Sequence, residues 1–124
     1  MNDDRRDIED VIRTYLDGLH ENDSAKIAQV FHECCHLFSV TDGKLNDLSR
    51  DRWLELMAAR PSPKAQGLER RDWIATVDQS GPSTAFAKVQ CQVPPRYFVD
   101  YLILAKLADG WRIVSKAFHV ETRE

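Results

Sequence analysis

The chain has 124 residues, of which 43% are hydrophobic and 30% are charged, and its formal net charge is −3. These proportions are typical of one soluble globular domain that can bury its own core. The small negative charge excludes a basic field for nucleic acid or for an anionic membrane surface. No apolar run approaches the roughly 20 residues of a membrane span. The charged start MNDDRRDIED contains no apolar signal-peptide core. We therefore expect a cytoplasmic protein with a single domain, residues 1–124, and with no nucleic-acid or membrane partner.

The cysteine and histidine spacing argues against a metal site. The chain has an odd number of cysteines, Cys34, Cys35 and Cys91, and the first two are adjacent. This arrangement fits neither a disulfide framework nor zinc-ligand spacing. His32 and His36 stand four residues apart, but the pattern changes from helix to strand between them. We predict reduced, mostly buried cysteines, no metal and no cofactor.

Hydrophobic spacing predicts three helices. Residues 3–22 carry apolar side chains at three- and four-residue intervals, which make one stripe on a helix: Ile8, Val11, Ile12, Tyr15, Leu16 and Leu19. A second helix over residues 25–31 follows a cap at Asp23 or Ser24. Residues 45–48 lead into a third helix, residues 52–59, with Ser49 as its cap.

Alternating patterns predict the strands. They cover residues 34–40, 70–79 and 84–93, followed by a hairpin over residues 97–120 whose turn contains Asp109 and Gly110. Helices grouped first and antiparallel strands grouped last are the α+β pattern. We expect a curved antiparallel sheet with three N-terminal helices over its concave face, which makes a cone with a ligand site at its open end.

The pairing of the final hairpin sorts its side chains into two faces. With Leu107 opposite Trp111, the face assigned to the pocket wall is Val99, Tyr101, Ile103, Ala105, Leu107, Trp111, Ile113, Ser115, Ala117 and His119. The second face packs against another layer or another subunit, and on it Asp100 and Lys116 form a diagonal pair. A slip of one residue would exchange the faces.

Four segments carry a resemblance to a known superfamily. They are IRTYLDG at 12–18, VFHECCHLF at 30–38, VTDGKLNDLSR at 40–50 and DYLILAKLADGWRIVSKAF at 100–118. With this order of elements, the chain resembles the nuclear-transport-factor-2-like superfamily, and within it the SnoaL-like small bacterial proteins labelled "Putative lumazine-binding". The resemblance implies a cystatin-like cone with a deep pocket, often in a homodimer built through the open sheet face. In this chain we expect that face to carry Phe86, Leu102, Leu104, Val114 and Phe118.

The same superfamily includes enzymes, which allows a test for a catalytic set. Resemblance to ketosteroid isomerase matches its tyrosine to Tyr15, but the position of its base falls near Ser39 and that of its oxyanion aspartate among residues 102–104, where no acid occurs. Scytalone dehydratase has an acid directly after its helix tyrosine, where this chain has Leu16. No complete catalytic set is therefore found.

The function expected from these observations is the binding of a small apolar or aromatic molecule in an internal pocket. The ligand-binding residues predicted are Tyr15, His36, Trp53, Trp73, Tyr101 and His119. Aromatic walls supply stacking area, and Tyr and His tips supply directional hydrogen bonds. Two alternatives stay open: a small lyase, isomerase or cyclase acting through His36 or His119, and a structural dimerisation module with a filled core.

Overall fold

Three helices and six strands make up the fold. The structure, a computed structural model, describes the backbone of residues 2–123 and the side chains of residues 4–123. The helices are α1 (Asn2–Glu21), α2 (Ser24–Val30) and α3 (Arg50–Ala58). The strands are β1 (His36–Thr41), β2 (Lys44–Ser49), β3 (Arg71–Ser80), β4 (Thr84–Val93), β5 (Arg96–Leu107) and β6 (Gly110–Thr122). Within the described residues, no helix is both long and apolar enough to span a membrane.

All six strands belong to one sheet, in the order β2-β1-β6-β5-β4-β3. Neighbouring strands are antiparallel except β1 and β6, which run parallel through the pairs Leu37 with Lys116 and Phe38 with Ala117. This pairing joins the β1–β2 hairpin of the first half of the chain to the hairpins of the second half.

The helices bury their apolar stripes against one face of the sheet, which we call the inner face. The buried helical side chains are Ile8, Ile12, Tyr15, Leu16, Ile27, Val30, Trp53 and Met57, and those of β4 and β5 include Ala85, Ala87, Val89, Leu102 and Leu104. Gly18 lets α1 and α2 approach closely, since a Cβ built on it would lie 2.8 Å from the Ile27 side chain. The predicted α+β architecture is confirmed.

The β1–β2 hairpin contains the strand that the sequence analysis missed. Residues 45–48 were expected to lead into α3, but they form most of β2. Asp42 and Gly43 both have positive φ, 52° and 76°, as a two-residue hairpin turn requires. The helix cap was correct, because Ser49 Oγ accepts a hydrogen bond from the Arg52 amide at 3.2 Å.

The predicted register of the β5–β6 hairpin was wrong by one residue next to the turn but correct from Ile103 to Val99, which pairs with His119 as expected. Leu107 pairs with Gly110, and not with Trp111. A bulge then shifts the register again: Ile103 pairs with Ser115, whereas Leu104 pairs with Ile113. The bulge adds one residue to β6, and strict alternation fails there.

The register decides which side chains face inward. Asp100, Leu102 and Leu104 are fully buried, whereas Tyr101 and Ile103 are exposed by 43% and 41%. The β5 side chains assigned to the pocket wall therefore lie on the opposite face, which we call the outer face. On β6, the bulge keeps Trp111 and Ile113 inside, as predicted, and turns Lys116 inward after them.

Candidate functional site

Three polar side chains meet in the core between α1 and the sheet. Tyr15 Oη donates a hydrogen bond to Asp100 Oδ2 at 2.5 Å, and Lys116 Nζ donates to Tyr15 Oη at 2.8 Å. Lys116 Nζ also lies 3.7 Å from Asp100 Oδ2. These three residues form the buried cluster, in which a phenol stands between an ammonium group and a carboxylate.

Local features of α1, β5 and β6 place the three side chains in the cluster. Tyr15 lies on the apolar stripe that anchors α1, so its ring enters the core with Ile12 and Leu16. Asp100 occupies an inward position of β5 that alternation would give to an apolar residue. Lys116 is directed inward by the β6 bulge, on the same face as Asp100.

One oxygen of the cluster has no partner. Asp100 Oδ1 is buried and accepts no hydrogen bond from any group in the described part of the chain. Buried polar atoms in folded proteins are nearly always hydrogen-bonded, and each exception needs an explanation. A donor placed beside Oδ1 would complete the cluster.

Aromatic rings surround the ammonium group of Lys116. Nζ lies 4.9 Å from the ring centre of Trp53, 5.0 Å from that of Phe118 and 5.1 Å from that of Tyr15. Such contacts stabilise a cation held away from water. Phe31 closes the wall, with its ring centre 5.0 Å from Tyr15 and 5.1 Å from Trp53.

Burial keeps the phenol of Tyr15 and the two thiols near the cluster neutral. It raises the pKa of Tyr15 well above its usual value, and the negative charge of Asp100 raises that pKa further. Burial also raises the pKa of the Cys35 and Cys91 thiols to about 12. Because the thiolate is the reactive form of cysteine, both thiols are inert at neutral pH while buried.

A small cavity lies at the mouth of the cone, beside the cluster. It has a volume of about 30 Å³ and is lined by α1, the β4 end and the 59–70 segment, including Leu16, His20, Pro63, Arg70 and Cys91. That volume is about the space of one water molecule. Cys91 lines the cavity and lies on the inner face of β4, next to the strand that carries Asp100.

The structure places two of the six predicted site residues inside and four on the outer face. Tyr15 and Trp53 line the core around the cluster, exposed by 0% and 7%. Tyr101 stacks on Phe86 on the outer face, contrary to its assignment to the pocket wall. Trp73 donates a hydrogen bond there to Gln90 Oε1 at 2.6 Å.

The two predicted histidines also lie away from the cluster. His36 Nδ1 lies 2.5 Å from Asp47 Oδ1 on the outer side of the β1–β2 hairpin, and the side chain of His119 is 71% exposed. Neither histidine reaches Tyr15 or Asp100. Among the residues with described side chains, no group of three or more His, Cys, Asp or Glu lies together as metal ligands would.

Sequence reasoning paired Asp100 with Lys116 but did not recognise them as site residues. The pair itself is confirmed by the 3.7 Å contact. It was placed on a face expected to pack against another layer or subunit, whereas the face of Tyr101 was assigned to the pocket wall. The available signal was a charged residue inside each of two apolar strands, at YFVDYLIL and RIVSKAF.

Comparison with known proteins gives the same fold and one family. Residues 3–119 match the model of a protein family described as "Putative lumazine-binding". A nuclear-transport-factor-2-like protein of unknown function from Shewanella baltica OS155 has a TM-score of 0.84 and 25% identity, over 96% of this chain and 94% of that chain. Another, from Methylobacillus flagellatus KT, has a TM-score of 0.80 and 23% identity, over 97% and 94%. The predicted superfamily is confirmed.

One curated relative has a named activity. The aldolase FrzH of Cladobotryum sp is 22% identical over 107 residues, which cover 85% of this chain and 82% of that protein.

Proposed function

Because the chain belongs to the family described as "Putative lumazine-binding", we propose that it binds a small molecule at the buried cluster of Tyr15, Asp100 and Lys116. The observation that carries the proposal is the buried Oδ1 of Asp100, which has no partner among the described residues. A ligand with a hydrogen-bond donor would satisfy this oxygen.

The surroundings of the cluster define the rest of the ligand. Rings of Phe31, Trp53 and Phe118 favour an apolar or aromatic body that can stack. Lys116 has N–H groups beyond the one donated to Tyr15, so it can also donate to a ligand oxygen. We therefore expect an aromatic or apolar molecule with adjacent donor and acceptor atoms.

Lumazine is the first ligand to test, because it is aromatic and carries ring N–H donors and carbonyl acceptors. Binding is measured by fluorescence titration for the wild type and for Asp100→Asn, with Asp109→Asn in the β5–β6 turn as the matched control. We expect the wild type and the control to bind alike, and Asp100→Asn to bind at least tenfold more weakly.

Native mass spectrometry extends the test to other ligands. The protein is sprayed as purified, and any small molecule released on denaturation is identified. A wild type that carries no small molecule and does not bind lumazine would refute the proposal, as would a ligand held equally by the wild type and Asp100→Asn.

A second candidate is an enzyme that acts on a carbonyl compound. It is favoured by Lys116 and by the aldolase named among the relatives. Once the ammonium group has given a proton to Asp100, whose Oδ2 lies 3.7 Å away, the free amine can attack a carbonyl carbon and form a Schiff base with loss of water. In this version of the lyase or isomerase alternative, Tyr15 and Lys116 take the place of the exposed histidines. Borohydride reduction in the presence of pyruvate would fix an adduct on Lys116. If no adduct forms, this route is excluded.

We also propose a homodimer built through the outer face. Large hydrophobic side chains are exposed there, among them Trp73, Tyr101 and Ile103, and cross-strand pairing sets Phe86 beside Ile103. This surface replaces Leu102 and Leu104, which the sequence analysis had offered but which are buried in the core. The structural-module alternative would keep the dimer without a ligand.

We also propose that the protein is located in the cytoplasm. The support for this location is that Cys34, Cys35 and Cys91 are all free thiols, as cysteines are in a reducing compartment.

A further inference from the structure

The segment of residues 59–70 connects α3 to β3 and crosses the mouth of the cone; we call it the strap. Pro63 and Arg70 of the strap line the mouth cavity, opposite Leu16 and Cys91. No residue of the strap is buried. The strap therefore borders the cavity and contributes little to the core.

The strap is held mainly by the C-terminal end of α1. Asn22, directly after the helix, donates from Nδ2 to the carbonyl oxygen of Met57 at 2.7 Å and to that of Arg60 at 2.9 Å. The amide of Lys64 donates to the carbonyl oxygen of His20 at 3.1 Å. The bond to Met57 anchors the end of α3, and the bonds that involve Arg60 and Lys64 hold the start and the middle of the strap.

An ion pair holds the far end of the strap. Arg70 Nη1 lies 2.7 Å from Asp17 Oδ1 on α1, and Arg70 Nε lies 2.8 Å from Asp72 Oδ2 on β3. The side chains of Arg70 and Asp17 are 35% and 41% exposed, so solvent weakens the pair. Polar contacts of this kind can break without exposing apolar core.

The buried cluster has no open path to solvent, since Tyr15 and Asp100 are both 0% exposed. Local opening costs least in segments with few buried contacts and solvent-exposed hydrogen bonds. The strap fits this description, whereas the surrounding helices and sheet bury their side chains in the core. Beneath it, Cys91 lies between the mouth cavity and the strand of Asp100.

We infer that the strap opens as a unit over Cys91, with Asn22 as its latch, and that this opening is the entrance to the cluster. The role as an entrance rests on the proposed function, but the opening itself does not. Opening is therefore measured without any ligand, through the accessibility of the Cys91 thiol.

The chain contains its own internal reference for this measurement. Cys91 is 8% exposed beneath the strap, whereas Cys35 is 0% exposed and lies at the start of α3, where its carbonyl accepts from the Arg50 amide. Both thiols have a pKa raised to about 12 by burial, so neither reacts while buried. Cys91 reports opening of the strap, and Cys35 reports global unfolding.

The experiment uses Cys34→Ser, which removes the exposed cysteine, and the reagent 5,5′-dithiobis(2-nitrobenzoate). The thiolate attacks the reagent's disulfide and displaces thionitrobenzoate, which leaves a mixed disulfide whose position is read by peptide mass spectrometry. We expect Cys91 to react at least tenfold faster than Cys35. Equal rates for the two thiols would overturn the inference, because only global unfolding would then expose Cys91.

Variants that remove the contacts of Asn22 and Arg70 test whether Asn22 is the latch of the strap. Asn22→Gly keeps the positive φ of 56° and removes both donors, so we expect the Cys91 rate to rise about tenfold, the factor of one net hydrogen bond, relative to that of Cys35. Arg70→Gln should accelerate Cys91 in the same direction. Arg52→Gln is the matched control, because Arg52 pairs with Glu55 within α3 and not with a residue of the strap. A Cys91-to-Cys35 ratio unchanged by Asn22→Gly would overturn the assignment of the latch.

The experiments distinguish a failure of the strap inference from a failure of the proposed function. If lumazine and other ligands fail to bind but Cys91 still reacts in a strap-dependent manner, the opening stands and the proposed function falls. If a ligand binds the cluster at the same rate in Asn22→Gly while Cys91 is labelled faster, the strap opens but is not the entrance.

Discussion

Lys116 Nζ and Asp100 Oδ2 face each other at 3.7 Å on neighbouring strands, with side chains exposed by only 7% and 1%. The phenol of Tyr15 completes the contact by hydrogen-bonding to both. Opposite charges that are taken out of water lose hydration, and their attraction restores this loss only while both partners are present. The pair is therefore strongly interdependent.

Removal of one charge should cost more than removal of both. We expect Asp100→Leu and Lys116→Met each to lower the free energy of unfolding by about 3–5 kcal/mol, because each leaves an uncompensated buried charge. The double variant should lose much less than the sum of the two. Urea denaturation of the four proteins measures the coupling, and additive losses would contradict a direct interaction.

Tyr15→Phe should change stability in alkali as well as at neutral pH. Loss of the hydroxyl leaves Asp100 and Lys116 without their bridge, at a cost of about 1–3 kcal/mol. Burial holds the folded pKa of Tyr15 well above 10.0, so the unfolded chain releases this proton first as pH rises. The stability of the wild type should therefore fall above pH ~10, and the fall should be shallower in Tyr15→Phe.

Urea denaturation between pH 8 and 11 follows this difference. Tyr97→Phe, which removes a phenol outside the cluster, is the control. Parallel pH profiles for the wild type and Tyr15→Phe would show that Tyr15 ionises equally easily in the folded and unfolded states.

The carboxylate of Asp4 should stabilise the folded state down to strongly acidic pH. This carboxylate accepts from Lys106 Nζ at 2.9 Å, from Gln79 Nε2 at 3.1 Å and from Trp111 Nε1 at 3.3 Å. The hydrogen bonds from Lys106, Gln79 and Trp111, in that order of effect, lower its pKa from 3.8 to about 2. Its contribution is thus complete above pH 3.8 and is lost as pH falls through about 2.

The comparison with Asp4→Asn tests this window. The wild type should be more stable than Asp4→Asn at pH 5, and the difference should shrink below pH 3.8 and vanish near pH 2. Thermal unfolding at each pH measures it, with Asp10→Asn on the exposed side of α1 as the control. A stability difference that does not change across this range would contradict the role of the charge.

Charge introduced into the outer face should break the proposed homodimer. Ile103 is 41% exposed at the centre of the β4–β5–β6 outer surface, whereas Leu56 of α3 is 40% exposed elsewhere. We expect Ile103→Lys to be monomeric and Leu56→Lys to keep the oligomeric state of the wild type. Light scattering at high micromolar protein measures the masses, and a monomeric wild type would contradict the dimer.

The sequence predicted most elements of the fold because their patterns were local. The apolar stripe of α1, the clean alternation of β4 and the Asp-Gly turn before β6 each appear within one short stretch. The strand β2 was missed because Leu45 and Leu48 are exposed and half-buried, so residues 44–49 lack the apolar alternation of a core strand. Its pairing depends on β1 across the turn.

The candidate site was harder to predict because it depends on which face of the β5–β6 hairpin lies inside. Tyr15 and Trp53 were identified from composition and position, and both lie at the cluster. Tyr101 was selected in place of Asp100, its neighbour, because strict alternation puts Tyr101 on one face with Trp111 and Ile113, whereas the bulge near Ser115 puts those two side chains on the face of Asp100. The bulge has no signal in the local pattern.

The parallel pairing of β1 with β6 has a consequence for synthesis of the chain. Residues 36–41 leave the ribosome long before residues 110–122, which supply their hydrogen-bonding partner. Until then, the hairpin of β1 and β2 has an unpaired edge, a surface that invites pairing with other chains. A nascent chain stopped before residue 110 therefore lacks Lys116 and the strand that joins the two halves of the sheet. We expect such truncated products to be aggregation-prone and readily degraded.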